Sequence, residues 1–133
     1  MRVFKTKEFA RYARREDVDD ERLCEAVDRA ELGLVDADLG GGLIKQRIAR
    51  KGQGRRGGYR TLMAFRTKAR AVFIYGFAKN ERDNIDPDEL EFWRRVASAF
   101  SAMTEAQLGA LIDARELTEV IRHGKDWLSQ PPS

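Results

Sequence analysis

Leu43-Ile44-Lys45-Gln46-Arg47-Ile48-Ala49, then the span Tyr59 to Thr67, then Ala71-Val72-Phe73-Ile74-Tyr75-Gly76-Phe77-Ala78, decide the architecture of this chain. In the first stretch Leu43, Lys45 and Arg47 alternate with Ile44, Gln46 and Ile48. That period of two is the signature of a strand whose two faces meet different surroundings. The third stretch is rich in β-branched and aromatic residues, which pack well on a pleated surface. Arg50-Lys51-Gly52-Gln53-Gly54-Arg55-Arg56-Gly57-Gly58 reads as a Gly- and Arg-rich loop between the first two strands. Lys68-Ala69-Arg70 fits a tight hairpin between the second and third.

Working outward, Val3-Phe4 opens a short strand and Thr6 is placed to cap a helix over Lys7 to Arg15, with Phe9, Tyr12 and Ala13 on one side. Asp17 or Asp19 caps a second helix carrying Leu23, Ala26, Val27 and Ala30, which Gly33 stops. Leu39-Gly40-Gly41-Gly42 breaks the helical pattern. On the other side, Asp86-Pro87-Asp88-Glu89 is a helix start with cap, proline and acid in the favoured order. That helix reaches about Phe100, with Leu90, Trp93, Val96 and Ala97 apolar. Thr104-Glu105-Ala106-Gln107 is a capping box for a last helix to about Ala114. Leu117 to Ile121 reads equally as a strand or a helical turn. The order is β-α-α-β-β-β-α-α. It predicts an α+β fold: two amino-terminal helices packed on a small twisted antiparallel sheet, with carboxy-terminal helices. The expected organisation is one domain over 1–129 and a frayed tail over 130–133.

Charge is distributed unevenly. Between Lys45 and Arg82 stand twelve Lys or Arg against the single acid Glu81, so that segment carries 12 − 1 = +11 and the remainder 3 − 11 = −8. Such segregation is the electrostatic footprint of a phosphate-binding face. With one Cys and one His in 133 residues, neither a disulfide nor a zinc cage is expected, and no cofactor. No apolar run approaches a membrane span and no signal peptide is seen, so the expectation is a cytoplasmic protein with no membrane partner and no small-molecule substrate. The loop at residues 50–58 lacks the Lys-Ser or Lys-Thr of a Walker motif. His123 and the acid pair Asp86 and Asp88 read as surface and helix-start residues. Phe92, Trp93 and Phe100 fall at helical spacing and read as core, and Cys24 as a small buried residue.

RNA cleavage needs a grip on the scissile phosphate, charge stabilisation in the transition state, and proton transfer at the attacking 2′-hydroxyl and the leaving 5′-oxygen. Arginine serves the first two through its planar fork. Lys45 and Arg47 share one face of a strand, Arg60 lies on the next, and Lys79 and Arg82 follow the third. With strands about 4.8 Å apart these cations can converge on one phosphate.

Three stretches, Gly40 to Ala49, Gly57-Gly58-Tyr59-Arg60-Thr61-Leu62, and Phe73-Ile74-Tyr75-Gly76-Phe77-Ala78-Lys79-Asn80, resemble the RelE/HigB-like toxins of bacterial type II toxin–antitoxin systems. The resemblance implies ribosome-dependent cleavage of mRNA and neutralisation by a cognate antitoxin, either a helix-turn-helix or an acidic protein. It assigns Arg60 as the phosphate-stabilising arginine, Lys45 and Arg47 as the basic pair on the preceding strand, and Lys79 as the lysine ending the last strand. Arg50, Lys51, Arg55, Arg56, Arg66, Asn80 and Arg82 are the expected RNA-binding residues around them. Two departures matter. Asn80 stands where some members have arginine, and Arg82 to Asp88 lacks the tyrosine that serves those members as general base. Tyr75 and Tyr59 are the remaining candidates for proton transfer, each only if it faces the cations; alternation sets Tyr59 out of phase with Arg60. Two other functions compete with the nuclease: a ParE-like toxin that inhibits a topoisomerase by protein contact, and a nucleic-acid-binding module without chemistry.

Overall fold

The computed structural model describes residues 1–50, 54–78 and 85–121, with Arg50 and residues 54–57 described by backbone alone. Its elements in chain order are β1 (Arg2–Thr6), α1 (Lys7–Arg15), α2 (Asp20–Glu31), β2 (Ala37–Gly40), β3 (Leu43–Arg50), β4 (Gly54–Arg66), β5 (Arg70–Ala78), α3 (Pro87–Ala102), α4 (Glu105–Asp113) and β6 (Leu117–Glu119). The six strands form one sheet in the order β2-β3-β4-β5-β1-β6.

The helices stand where their caps put them. Thr6, Asp19, Asp86 and Thr104 each accept a backbone N–H three residues on, which satisfies a donor that the helix itself leaves orphaned. At α4 the capping box is complete, because the Gln107 side chain also accepts from the Thr104 N–H. Asp19 is thus the cap of α2. Asp17 adopts a left-handed conformation in the turn before it, φ 56°.

The sheet corrects the sequence reading in three respects and decides a fourth that the sequence leaves open. It is mixed, not wholly antiparallel, since β1 runs parallel to β5. It gains β2 at one edge, where Leu39 and Gly40 read only as the start of a break in the helical pattern; pairing to β3 supplies what local propensity withholds. β4 reaches back through the Gly- and Arg-rich segment to Gly54, paired to Arg50. Leu117–Glu119 is a strand, β6, held antiparallel to β1.

Both faces of the sheet are covered. One carries Val3, Ile44, Ile48, Met63 and Phe73 against Phe9, Tyr12, Leu23 and Val27 of α1 and α2. The other carries Phe4, Leu43, Leu62, Val72 and Ile74 against α3 and α4, through Ala97, Leu108 and the partly buried Leu90, Trp93, Val96 and Phe100. Phe92, read as core, is instead 53% exposed, and Cys24 is half-buried. Gln46 is fully buried on the α1–α2 face. Its amide donates to the carbonyls of Ala26 and Leu34, and its oxygen accepts from the Asp36 N–H, so every polar atom is used to tie α2 to the sheet.

Candidate nucleic-acid interface

A β-bulge sets the composition of the site. β4 and β5 pair Leu62 with Tyr75 but Met63 with Phe73, which leaves Ile74 as the extra residue. The bulge resets the alternation of β5, so that Tyr75 joins Ile74 on the α3 side and Gly76 turns toward α1. At Gly76 a Cβ would come within 2.3 Å of the Tyr12 ring, so only glycine lets α1 lie this close.

The rows across the sheet follow from this register. Arg47 stands opposite Arg60, and Arg60 opposite Phe77; one row along, Lys45 stands opposite Leu62, and Leu62 opposite Tyr75. Lys45, Arg47 and Arg60 therefore share the α3 face, with Arg47 exposed and the other two half-buried. Among the described residues none of the three forms an ion pair or a side-chain hydrogen bond. Like charges directly opposite one another on adjacent strands are destabilising. The Arg47–Arg60 pair is such a juxtaposition, and Asp36, which accepts the Arg47 backbone N–H, forms no ion pair with either guanidinium.

An aromatic series borders these cations. Phe77 lies 5.8 Å from Tyr75, Tyr75 stacks on Trp93 at 4.9 Å, and Trp93 meets Phe92 edge-on at 4.9 Å. The Trp93 indole N–H is buried without a hydrogen-bond partner among the described residues. Beyond Trp93 an apolar groove of about 500 Å³ runs between Ile74, Val96, Phe100 and Leu111.

The structure brings some of the expected residues together and not others. Tyr59 lies on the opposite face, where its hydroxyl donates to the Glu16 carbonyl at 3.3 Å and its ring meets Tyr12 edge-on. It is removed from the cationic face, as strand alternation requires. Arg66 is also displaced. It sits at the far end of β4, about 20 Å along the strand from Arg60, and donates to the Ser101 carbonyl at 3.2 Å. Arg70, buried beside it, donates to the carbonyls of Phe100 at 3.0 Å and Met103 at 2.6 Å and lies 3.5 Å from Glu105. These two arginines close the end of α3, which has no basic residue in its own last turn. The +11 segment is thus divided between arginines tied to the end of α3 and cations without such partners among the described residues. Arg50, Arg55 and Arg56 are placed by backbone only, on β3 and β4. Lys51, Lys79, Asn80, Arg82, His123 and the tail over 130–133 lie outside the described residues.

Two cations near the site escaped the sequence reading. Arg11 and Arg15 of α1 line a cleft of about 320 Å³ together with Tyr75 and Gly76. The helical period showed that they leave the core; nothing in it told which strand α1 crosses.

Residues 1–120 match the family model described as RelE toxin of RelE / RelB toxin-antitoxin system. A comparison with curated proteins finds no match. No described helix is long and apolar enough to cross a membrane.

Proposed function

The chain belongs to the RelE toxin family, and we propose that it exercises toxicity as a ribonuclease that cleaves mRNA on the ribosome. A toxin of this kind has a cognate antitoxin as its partner. The observation that carries the nuclease reading is the Arg47–Arg60 pair with Lys45 beside it, three cations on one face whose side chains form no ion pair among the described residues. A phosphodiester supplies the missing anion. Its bridging and non-bridging oxygens accept from guanidinium forks more strongly as the pentavalent transition state gains charge. A topoisomerase inhibitor acting by protein contact has no need of such a phosphate-sized cluster.

In the proposed reaction the RNA 2′-hydroxyl attacks the adjacent phosphorus. The bond to the 5′-oxygen breaks, and that oxygen must take up a proton as the 2′-oxygen loses one. Arg60 and Arg47 hold the phosphate, and Lys45 adds a third positive charge at its rim. Lys79 is assigned to the same phosphate by its resemblance to the family's lysine, directly after Ala78 in the sequence. Among the described tyrosines named as proton carriers, Tyr75 has the appropriate side of the sheet, and we assign it the proton transfer. Arg50, Lys51, Arg55, Arg56, Asn80 and Arg82 are proposed to hold the flanking RNA.

A translation reaction with primer extension on the mRNA tests the proposal. New 5′ ends are expected with the wild-type chain and not with Arg60→Ala. Cleavage by a folded Arg60→Ala chain overturns the assignment of that residue, and translation arrest without cut mRNA overturns the nuclease reading altogether. Tyr75→Phe is expected to slow cleavage by roughly 10²-fold or more if the hydroxyl moves the proton, with RNA affinity unchanged.

A further inference from the structure

We propose that the cleft between α1 and the open edge of β5 is a second RNA-backbone site, in which Arg11 and Arg15 hold phosphates flanking the one at Arg60. The inference rests on the ribonuclease reading and extends it to residues outside the basic segment.

Three features of the fold converge on this cleft. The first is an interruption of the sheet. β1 pairs with β5 only from Arg2↔Arg70 to Lys5↔Phe73, and then the chain turns into α1. Ile74 to Ala78 therefore has β4 on one side and no described strand on the other. The second is direction. The row Arg47, Arg60, Phe77 crosses β3, β4 and β5 in turn, each about 4.8 Å from the last, and runs off the sheet at this open edge. A strand of RNA laid along the row leaves the sheet beside Tyr75 and Gly76. The third is the way α1 lies along β5. Phe9 stacks on Phe73, Tyr12 crosses Gly76, and the Glu16 carbonyl accepts from Tyr59, whose cross-strand partner is Ala78. The helix thus runs toward the Phe77 end of the strand, with Arg11 and Arg15 one turn apart on its cleft side.

The charges in the cleft suit a polyanion at that end. Glu8, the one acid lining it among the described residues, sits a turn earlier, at the Phe73 end. Arg11 has no ion pair among the described residues. Arg15 is held over the Tyr12 ring at 5.6 Å and makes only a long, exposed contact with Glu16 at 3.8 Å. A guanidinium placed over an aromatic ring keeps its N–H edges free for phosphate oxygens. An acidic segment of the antitoxin is the other anion that fits these cations, and the experiment separates the two.

The test measures binding of the full chain to a short, fully 2′-O-methylated single-stranded RNA, which lacks the attacking hydroxyl, across a range of salt concentrations. For Arg11→Ser/Arg15→Ser the plot of log affinity against log salt is expected to become shallower by about 1.4, two contacts at about 0.7 each, and affinity at low salt to fall about ten-fold. Arg11→Ser alone, which leaves the Tyr12 contact intact, should give about half that change in slope. Arg95→Ser, on α3 and paired with Glu91, is the control and should leave the slope unchanged. An unaltered slope in both cleft variants overturns the site. So does a loss of antitoxin affinity with RNA binding intact, which assigns the cleft to the antitoxin. Neither result touches the nuclease reading, which stands or falls on Arg60→Ala in the translation reaction.

Discussion

The two ends of the β4–β5 hairpin carry the same chemistry to opposite ends. At the hairpin tip Arg66 faces Arg70; at the other end Arg60 of β4 faces Arg47 of β3. Each is a pair of like charges directly across adjacent strands, which is costly by itself. At the tip the cost is offset, because both side chains donate to carbonyls at the end of α3 and Glu105 stands 3.5 Å from Arg70. At the Arg60 end neither side chain has an ion pair or hydrogen bond among the described residues, and Asp36 bonds only the Arg47 backbone N–H. The lesson is that a run of arginines has no meaning until its partners are known. Those already satisfied by the fold hold the structure, and those left unsatisfied are the ones proposed to meet a phosphate.

The sharpest way to break this comparison is to truncate one arginine at each end. Arg60→Ala should reduce mRNA cleavage by roughly 10²-fold or more, the usual loss when one preorganised donor to transition-state charge is removed. Its unfolding free energy in urea should stay within about 0.5 kcal/mol of wild type, because the half-buried side chain has no ion pair or hydrogen bond among the described residues to lose. Arg70→Ala should do the reverse. Stripping the α3 carbonyls of their buried donor should cost about 2–3 kcal/mol of stability, while cleavage per folded molecule persists. If Arg60→Ala unfolds the chain, or Arg70→Ala is as stable as wild type, the division into a functional and a structural end fails.

A second test sharpens the account of how the site is held. Gly76→Ala sets a methyl into the Tyr12 ring, and Tyr12 cannot stay where it is. A loss of about 1–3 kcal/mol is expected from the forced repacking. Gln46→Leu should cost a similar amount, because three backbone groups lose their partner at once. Chemical denaturation followed by circular dichroism measures both.

A smaller effect belongs to the repulsion itself. Arg47→Ala relieves the unpartnered contact with Arg60 and should raise stability by a few tenths of a kcal/mol, about the scale of a cross-strand pair. The gain should fade as salt screens the charges, even while cleavage falls. Of comparable size is the effect of the exposed pair at the β6 edge. The Arg2 hydrogen bond holds the Glu119 carboxyl below its ordinary value, and the same contact raises the Arg2 guanidinium. A carboxyl depressed by folding contributes stability above its unfolded value and loses it as pH falls through the folded one. Glu119→Gln should therefore cost no more than about 1 kcal/mol near neutrality, as exposed pairs do. The difference from wild type should vanish in acid, below the usual carboxylate range.

Much of this was legible in the chain. Caps and apolar spacing determined all four helices, because a cap and a 3.6-residue period are local facts that few residues decide. Alternation likewise placed Lys45 and Arg47 away from Ile44 and Ile48, and set Tyr59 out of phase with Arg60. What tertiary structure alone decided has a common cause: it depends on register between segments distant in sequence. The bulge at Ile74 moves Tyr75 to the side of Arg60, and no local pattern announces an extra residue in a strand. β2 and β6 exist because β3 and β1 offer them backbone partners, not because Ala37–Gly40 or Leu117–Glu119 favours the extended state. Arg66 and Arg70 looked like part of one basic face until the end of α3 was seen to sit on them. Nothing in the sequence singled out Arg11 and Arg15; only α1 laid along the open edge of β5 puts them in a cleft. Residue type fixes what a side chain is able to bind; only the packing of distant elements determines whether that capacity has already been used.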